Sequence, residues 1–173
     1  MELEGEELEA ILRKLYVCYQ CGTCTAGCPV ARVIAEFNPR QMILRLKQRD
    51  FAILDDFKAW YCAACHTCSE HCPQNIKFSE VLMELKNYLA KQGEIPPGTL
   101  TVYKDLGDVG IISEFTQAIA RRRAALKLPE VQVDDKTLKE ISKLTELTGW
   151  YDIIHSVEVQ VSNPKKSEDS KDV

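Results

Sequence analysis

Residues 18–29 read Cys18-Tyr19-Gln20-Cys21-Gly22-Thr23-Cys24-Thr25-Ala26-Gly27-Cys28-Pro29, and residues 62–73 read Cys62-Ala63-Ala64-Cys65-His66-Thr67-Cys68-Ser69-Glu70-His71-Cys72-Pro73. Both have the form C-x2-C-x2-C-x3-C-P. Each cysteine of the second stretch lies 44 positions after its counterpart in the first, Thr23 and Thr67 correspond in the same way, and the two stretches hold all 8 cysteines of the chain. A motif is therefore repeated, although the sequence between the copies is not.

The spacing suits a cubane cluster of iron and sulfide. Three cysteines at x2, x2 spacing let one tight loop place three sulfurs on one face of a [4Fe-4S] cluster, while the x3 gap and the proline send the fourth away. In two-cluster proteins that fourth cysteine serves the other cluster. The expected ligand sets are crossed: Cys18, Cys21, Cys24 and Cys72 for one cluster, and Cys62, Cys65, Cys68 and Cys28 for the other. Such ligation staples together loops distant in sequence, so folding should depend on cluster insertion, by analogy with other metal-coupled folds. Zinc sites use C-x2-C pairs, but a third cysteine after two more residues and a fourth before proline, twice over, is foreign to them. A zinc-stapled scaffold is the alternative of a different class.

Outward from the motifs, composition narrows the field. The chain has 173 residues, 45% hydrophobic, with 22 Lys+Arg against 26 Asp+Glu. That is enough apolar material for a sizeable core, and a net charge of -4 argues against an electrostatic grip on nucleic acid or anionic membrane. Glu2, Glu4, Glu6, Glu7 and Glu9 at the start are the reverse of a secretory signal, and no apolar run approaches the roughly 18 residues needed to span a bilayer. A cytoplasmic setting is expected, where thiols bind metal or do redox chemistry in preference to forming disulfides.

Helical patterns dominate the remainder. Leu8, Ile11, Leu12 and Leu15 keep helical spacing into the first motif. Asn38-Pro39 is a cap and first-turn pair for a helix through about Gln48, with Met42, Ile43 and Leu46 on its apolar face. Phe57, Trp60 and Tyr61 predict a short helix between Asp55 and Tyr61. Ser79 is read as the cap of a helix carrying Val81, Leu82, Leu85, Tyr88 and Leu89, stopped by Gly93. After the turn Ile95-Pro96-Pro97-Gly98, helices are predicted near 99–106, 113–126 (Phe115, Ile119) and 134–147 (Leu138, Ile141, Leu144). Val157, Val159 and Val161 alternate as an edge strand would, and 162–173 has the composition of a mobile tail. The organisation expected is all-α: a two-cluster domain over 1–93, a helical extension for contacts with other subunits over 94–161, and the tail.

Side chains beside the motifs receive plainer roles. His66 and His71 are surface or supporting groups, because each cluster already has four thiolates. Thr23 and Thr67 can donate hydroxyls to cluster sulfurs. Tyr16, Tyr19, Trp60 and Tyr61 are expected to shield the clusters from water. Arg121-Arg122-Arg123 reads as a solvated helix face, with docking to an acidic partner as the other possibility, and His155 carries no evident chemistry. No G-x-G-x-x-G, P-loop or Ser-His-Asp order is present, so no catalytic residue is assigned. Two oxidised clusters, each contributing about -2 with its thiolates, would take the chain to about -8. A relay docked to other subunits would have to balance that charge.

Small free ferredoxins carry the motif in shorter, strand-rich halves. Here 33 residues of helical sequence separate Cys28 from Cys62, as in the all-helical ferredoxin arrangement. The two motifs with Asn38-Pro39-Arg40 and Trp60-Tyr61 closely resemble the C subunit of heterodisulfide reductase, over roughly residues 8–92. The resemblance implies an electron relay between a flavin-containing A subunit and a B subunit that reduces the mixed disulfide of coenzyme M and coenzyme B, as in methanogenesis, fed indirectly by a hydrogenase or a formate dehydrogenase. The Cys-Cys-Gly motifs of that catalytic B subunit are absent. Relay subunits of related anaerobic oxidoreductases, such as a sulfate-reducer homologue or a succinate or fumarate enzyme, are the alternative. The last fits less well, since its iron–sulfur subunit adds a [2Fe-2S] domain and loses a ligand.

Overall fold

The computed structural model describes residues 3–112 and 116–155. Among the described residues the ordered elements are helices, with no strand. The predicted strand at Val157–Val161 and the tail lie outside them. The chain divides into two compact units, 1–94 and 95–173.

The first unit is built on α1 (Glu6–Arg13) and α5 (Phe78–Lys91), which pack together. Glu6, Glu7 and Glu9 sit in the first turn of α1 and Arg13 in its last, matching the helix dipole. Leu8, Ile11 and Leu12 form its buried face, and Leu15 follows them inside. On α5 the buried face is Phe78, Val81, Leu82, Leu85, Tyr88 and Leu89. Removing a Leu from water on this scale contributes about 1.5–3 kcal/mol. Polar contacts set the direction: Lys91 Nζ reaches Glu7 at 2.7 Å, Tyr88 Oη donates to the Glu4 carbonyl at 2.7 Å, and Lys14 Nζ meets Glu84 at 2.5 Å. The early residues of α1 thus face the late residues of α5, an antiparallel pair.

The two motif loops carry two one-turn helices, α2 (Thr23–Ala26) and α4 (Thr67–Glu70), which pack against each other. Each loop is followed by a longer helix, α3 (Pro39–Lys47) after the first and α5 after the second. Asn38 caps α3, its side chain accepting from the Gln41 N–H at 3.1 Å, with Pro39 in the first turn. Met42, Ile43 and Leu46 are buried as predicted.

Two local expectations are corrected. The segment Phe51–Tyr61 is 3-10 helical and breaks at Asp55–Phe57, where Asp56 and Phe57 take left-handed backbone (φ 58° and 57°); the break divides an early apolar turn holding Ile53 and Leu54 from a later one holding Ala59 and Trp60. Ser79 is not the cap of α5. The cap position is Lys77, which makes no side-chain cap bond, and Ser79 lies inside the first turn, buried. Its N–H is satisfied from outside the helix, by Ser69 Oγ at 3.1 Å.

In the second unit α6 (Pro97–Val109) packs against α8 (Asp135–Leu147). Gly110 ends α6 in left-handed conformation (φ 73°), with Val133 Cγ1 only 2.8 Å from where a Cβ would stand, so both backbone and space call for glycine. Asp134 caps α8 through the Thr137 N–H at 2.7 Å. Tyr103 and Trp150 meet edge to face, centroids 5.4 Å apart. Between α6 and α8 in the chain, α7 (Gln117–Ala125) buries none of its residues and carries Arg121, Arg122 and Arg123. Of the helix predicted over 113–126, Phe115 lies outside the described residues.

Candidate metal centre

The sequence repeat is a repeat of backbone geometry. Gln20 and Ala64, related by 44 positions, are both left-handed (φ 67° and 49°), and so are Gly22 and His66 (φ 86° and 60°). The first three cysteines of each of these curled loops line one cavity. The residue after the third cysteine then ties each loop to the following helix in the same way: Thr25 Oγ1 accepts the Arg40 N–H of α3 at 2.9 Å, and Ser69 Oγ accepts the Ser79 N–H of α5 at 3.1 Å. Both N–H groups are first-turn donors that the helix itself cannot satisfy. A lysine from the following helix also holds the carbonyl of each loop's first cysteine, Lys47 on Cys18 at 3.0 Å and Lys86 on Cys62 at 3.1 Å.

The loops line two small, partly open cavities. One is lined by Cys18, Cys21, Cys24, Cys72 and Cys68, with Ile43, Ile76 and Phe78 as apolar wall. The other is ringed by Cys62, Cys65, Cys68 and Cys28, with Val30, Phe37, Phe78 and Leu82. Each brings together three cysteines of one loop and the last cysteine of the other. Cys68 and Phe78 stand in the wall common to both. The sulfurs ring the space without converging on a point: among the described residues no three His, Cys, Asp or Glu side chains are gathered as around one metal ion. Four soft sulfur donors about an apolar hollow fit a [4Fe-4S] cluster.

Hydrogen bonds to the sulfurs are in place. Thr23 Oγ1 lies 3.4 Å from Cys21 Sγ, and the Cys65 thiol donates to Thr67 Oγ1 at 3.5 Å. The Ala64 N–H donates to Cys62 Sγ at 3.4 Å, the Ala31 N–H to Cys28 Sγ at 3.5 Å, and the Gln20 side-chain amide to Cys18 Sγ at 3.4 Å. The threonine contacts hold the exposed thiols of Cys21 and Cys65 below the usual thiol range. Burial does the opposite to their neighbours, pushing Cys24 up to about 11 and Cys68 upward. Iron binding has to displace protons from those inner thiols, as is general for thiolate sites.

Other predicted residues divide. His66 Nδ1 is 3.0 Å from Ser79 Oγ and His71 Nδ1 is 3.0 Å from the carbonyl of Thr67; both are supporting contacts. Trp60 is held by a bond from Nε1 to the Glu94 carbonyl at 3.2 Å. Shielding fails for Tyr16 and Tyr19, which are 51% and 58% exposed and do not line the cavity. Ser69 was missed by sequence reading. The signal that could have found it is the 44-residue offset, which pairs it with Thr25.

A unit that is helical among the described residues, with two cavities lined by the cysteines of two loops, defines a dicluster iron–sulfur electron carrier. Residues 14–76 match the family model of a 4Fe-4S dicluster domain, and two [4Fe-4S] clusters are accordingly its cofactors. Over most of its length the chain is similar to the second iron–sulfur C subunit of CoB–CoM heterodisulfide reductase from Methanocaldococcus jannaschii, with 31% identity across 79% of this chain and 75% of the relative. It is also 31% identical to the C2 subunit of the H2/formate:CoB–CoM heterodisulfide, ferredoxin reductase of Methanococcus maripaludis, across 87% and 82%. A protein of Archaeoglobus profundus that is itself like the heterodisulfide reductase C subunit is 32% identical across 85% and 82%. The chain belongs to the family of heterodisulfide reductase C subunits. Among the described residues no helix is long and apolar enough to cross a membrane.

Proposed function

We propose that this chain is a relay subunit that carries single electrons between a flavin-containing subunit and a disulfide-reducing subunit of a heterodisulfide reductase complex in the cytoplasm. The ligands are Cys18, Cys21, Cys24 and Cys72 for one [4Fe-4S] cluster and Cys62, Cys65, Cys68 and Cys28 for the other. The observation that carries this reading is the composition of the two cavities: one is lined by Cys62, Cys65, Cys68 and Cys28, the other by Cys18, Cys21, Cys24 and Cys72 together with Cys68. When bound, the clusters supply one-electron oxidation and reduction. The protein holds them, donates hydrogen bonds from Thr23, Thr67 and backbone N–H groups to their thiolates, and keeps water out with Phe78, Ile76, Phe37 and Leu82.

The chain does not reduce the disulfide by itself. It has no adjacent pair of cysteines, and all eight are taken up by the two rings. The C-terminal unit, with exposed α7 and its three arginines, serves contacts with other subunits, which fits a chain whose electrons are delivered to another protein.

Anaerobic isolation of the complex through a tag on this chain tests the assignment. The expected companions are a flavoprotein and a protein with Cys-Cys-Gly motifs. Recovery of a membrane quinone enzyme in their place would overturn it.

A further inference from the structure

The two halves of the repeat are alike around their cysteines and unlike outside them. Positions 16 and 17 correspond to Trp60 and Tyr61. Trp60 is half-buried, bonded to the Glu94 carbonyl and with Lys86 Nζ 5.8 Å from its ring centre, while Tyr61 is 39% exposed. In the first half Tyr16, Val17 and Tyr19 are 51%, 58% and 58% exposed, and the adjacent Cys21 is exposed too. Tyr19 lies in the chain between Cys18 and Gln20, both of which line the first cavity with Cys21, so the patch borders that cavity. Isolated apolar residues on a surface are ordinary, but a run of three beside a cofactor cavity is not.

The rim of this patch is basic. Lys47 Nζ donates to the carbonyls of Tyr16 and Cys18 at 3.3 and 3.0 Å. Arg49, two residues further on, pairs with Glu9, and Arg40 lines the cavity itself. Aromatic side chains at the centre with arginine and lysine around them is the composition of a protein-binding surface. The sign of the rim asks for acidic groups opposite.

We propose that Tyr16, Val17, Tyr19 and Cys21, rimmed by Arg40, Lys47 and Arg49, form the docking face for a protein redox partner that presents an apolar patch with an acidic border above its own electron-transfer group. The proposal rests on Cys18, Cys21, Cys24 and Cys72 being cluster ligands, since only then does an electron carrier lie beside the face. It makes the two ends of the relay unlike, with a more open aromatic surface at the first cavity and a half-buried tryptophan at the second.

The test compares wild-type and Val17→Asp complexes, isolated anaerobically through a tag on this chain. Expected is a Val17→Asp chain with wild-type iron content and reduced-state paramagnetic resonance spectrum, from which one co-isolated redox protein is reduced by at least about tenfold, as for an interface centre. An iron-loaded Val17→Asp chain that retains all its partners overturns the docking face alone. A wild-type chain without iron overturns the ligand assignment, and with it the proposed electron route. Amide exchange over residues 15–22 gives a reading independent of the variant's folding. It should slow at least about tenfold between the wild-type holo chain alone and the complex, and unchanged exchange overturns the proposal. Binding of the holo chain to phosphatidylserine vesicles, abolished by Val17→Asp, would assign the face to a lipid surface and overturn it as well.

Discussion

Ser69→Ala tests how the second cysteine loop is held to the helix behind it. Ser69 is 2% exposed; its Oγ accepts the Ser79 N–H at 3.1 Å and lies 2.6 Å from Ser79 Oγ. Alanine leaves that N–H buried at the start of α5, where Lys77 offers no side-chain cap. One buried donor without a partner costs about 1–3 kcal/mol. Ser79 Oγ keeps its contact with His66 Nδ1 at 3.0 Å, so the hydroxyl side of the loss adds little. At RT of about 0.59 kcal/mol the range is roughly five- to 150-fold in the equilibrium for opening the contact. Ser69 directly follows Cys68, so the weakened hold should appear as faster iron release from that half of the protein. The assay is anaerobic bleaching of the visible absorbance by an iron chelator, with one kinetic phase accelerated and the other unchanged. Two variants calibrate it. Ser79→Ala leaves the bond from its own N–H to Ser69 in place. Thr25→Ala strikes the repeat-related tie, which is half-buried, so water can replace the hydroxyl, and Asn38 still caps α3. Both should cost less than Ser69→Ala. Equal effects of the three, or a Ser69→Ala protein that releases iron at the wild-type rate, would refute the reasoning.

Crossed ligation predicts which lesions resemble each other. Cys28→Ser should remove the same spectroscopic signal as Cys65→Ser, and Cys72→Ser the same as Cys21→Ser; the opposite pairing in paramagnetic resonance or Mössbauer spectra would mean that each loop keeps its own fourth cysteine. Thr23→Val should lower the midpoint potential of the cluster at Cys21, and Thr67→Val that of the cluster at Cys65, because a hydrogen bond to sulfur stabilises the added electron. A redox titration followed by the same spectroscopy checks this, and unmoved potentials would contradict it. Asp134→Ala should lower the melting temperature of the C-terminal unit without loss of iron. The Thr137 N–H holds the Asp134 carboxyl below its ordinary value of 3.8. Its contribution is therefore complete above that value and is lost as pH falls through the depressed one, so wild type and variant should converge in acid.

Where function depended on residues close in sequence, the chain could be read directly. The cysteine spacing named the cofactor, and the i, i+3, i+4 spacing of Leu8, Ile11 and Leu12 picked out the buried face of α1. Asn38-Pro39 was legible because a cap and its N–H are three residues apart. The start of α5 was not, since its donor is satisfied by Ser69, ten residues away and on another element; no local pattern records that bond. The break at Asp55–Phe57 was hidden for a related reason. Two successive non-glycine residues in left-handed backbone run against local preference, and only the packing of the turns on either side holds them there. Tyr16 and Tyr19 misled because an aromatic beside a cofactor motif reads as packing, whereas exposure depends on which side of the loop the chain has turned.

The measurement closest to the central claim is the metal and sulfide content of the chain purified without oxygen. Two cubanes require about eight iron atoms and about eight acid-labile sulfides per chain, in a brown protein that bleaches on reduction. A colourless chain loaded with zinc and free of sulfide would contradict the account.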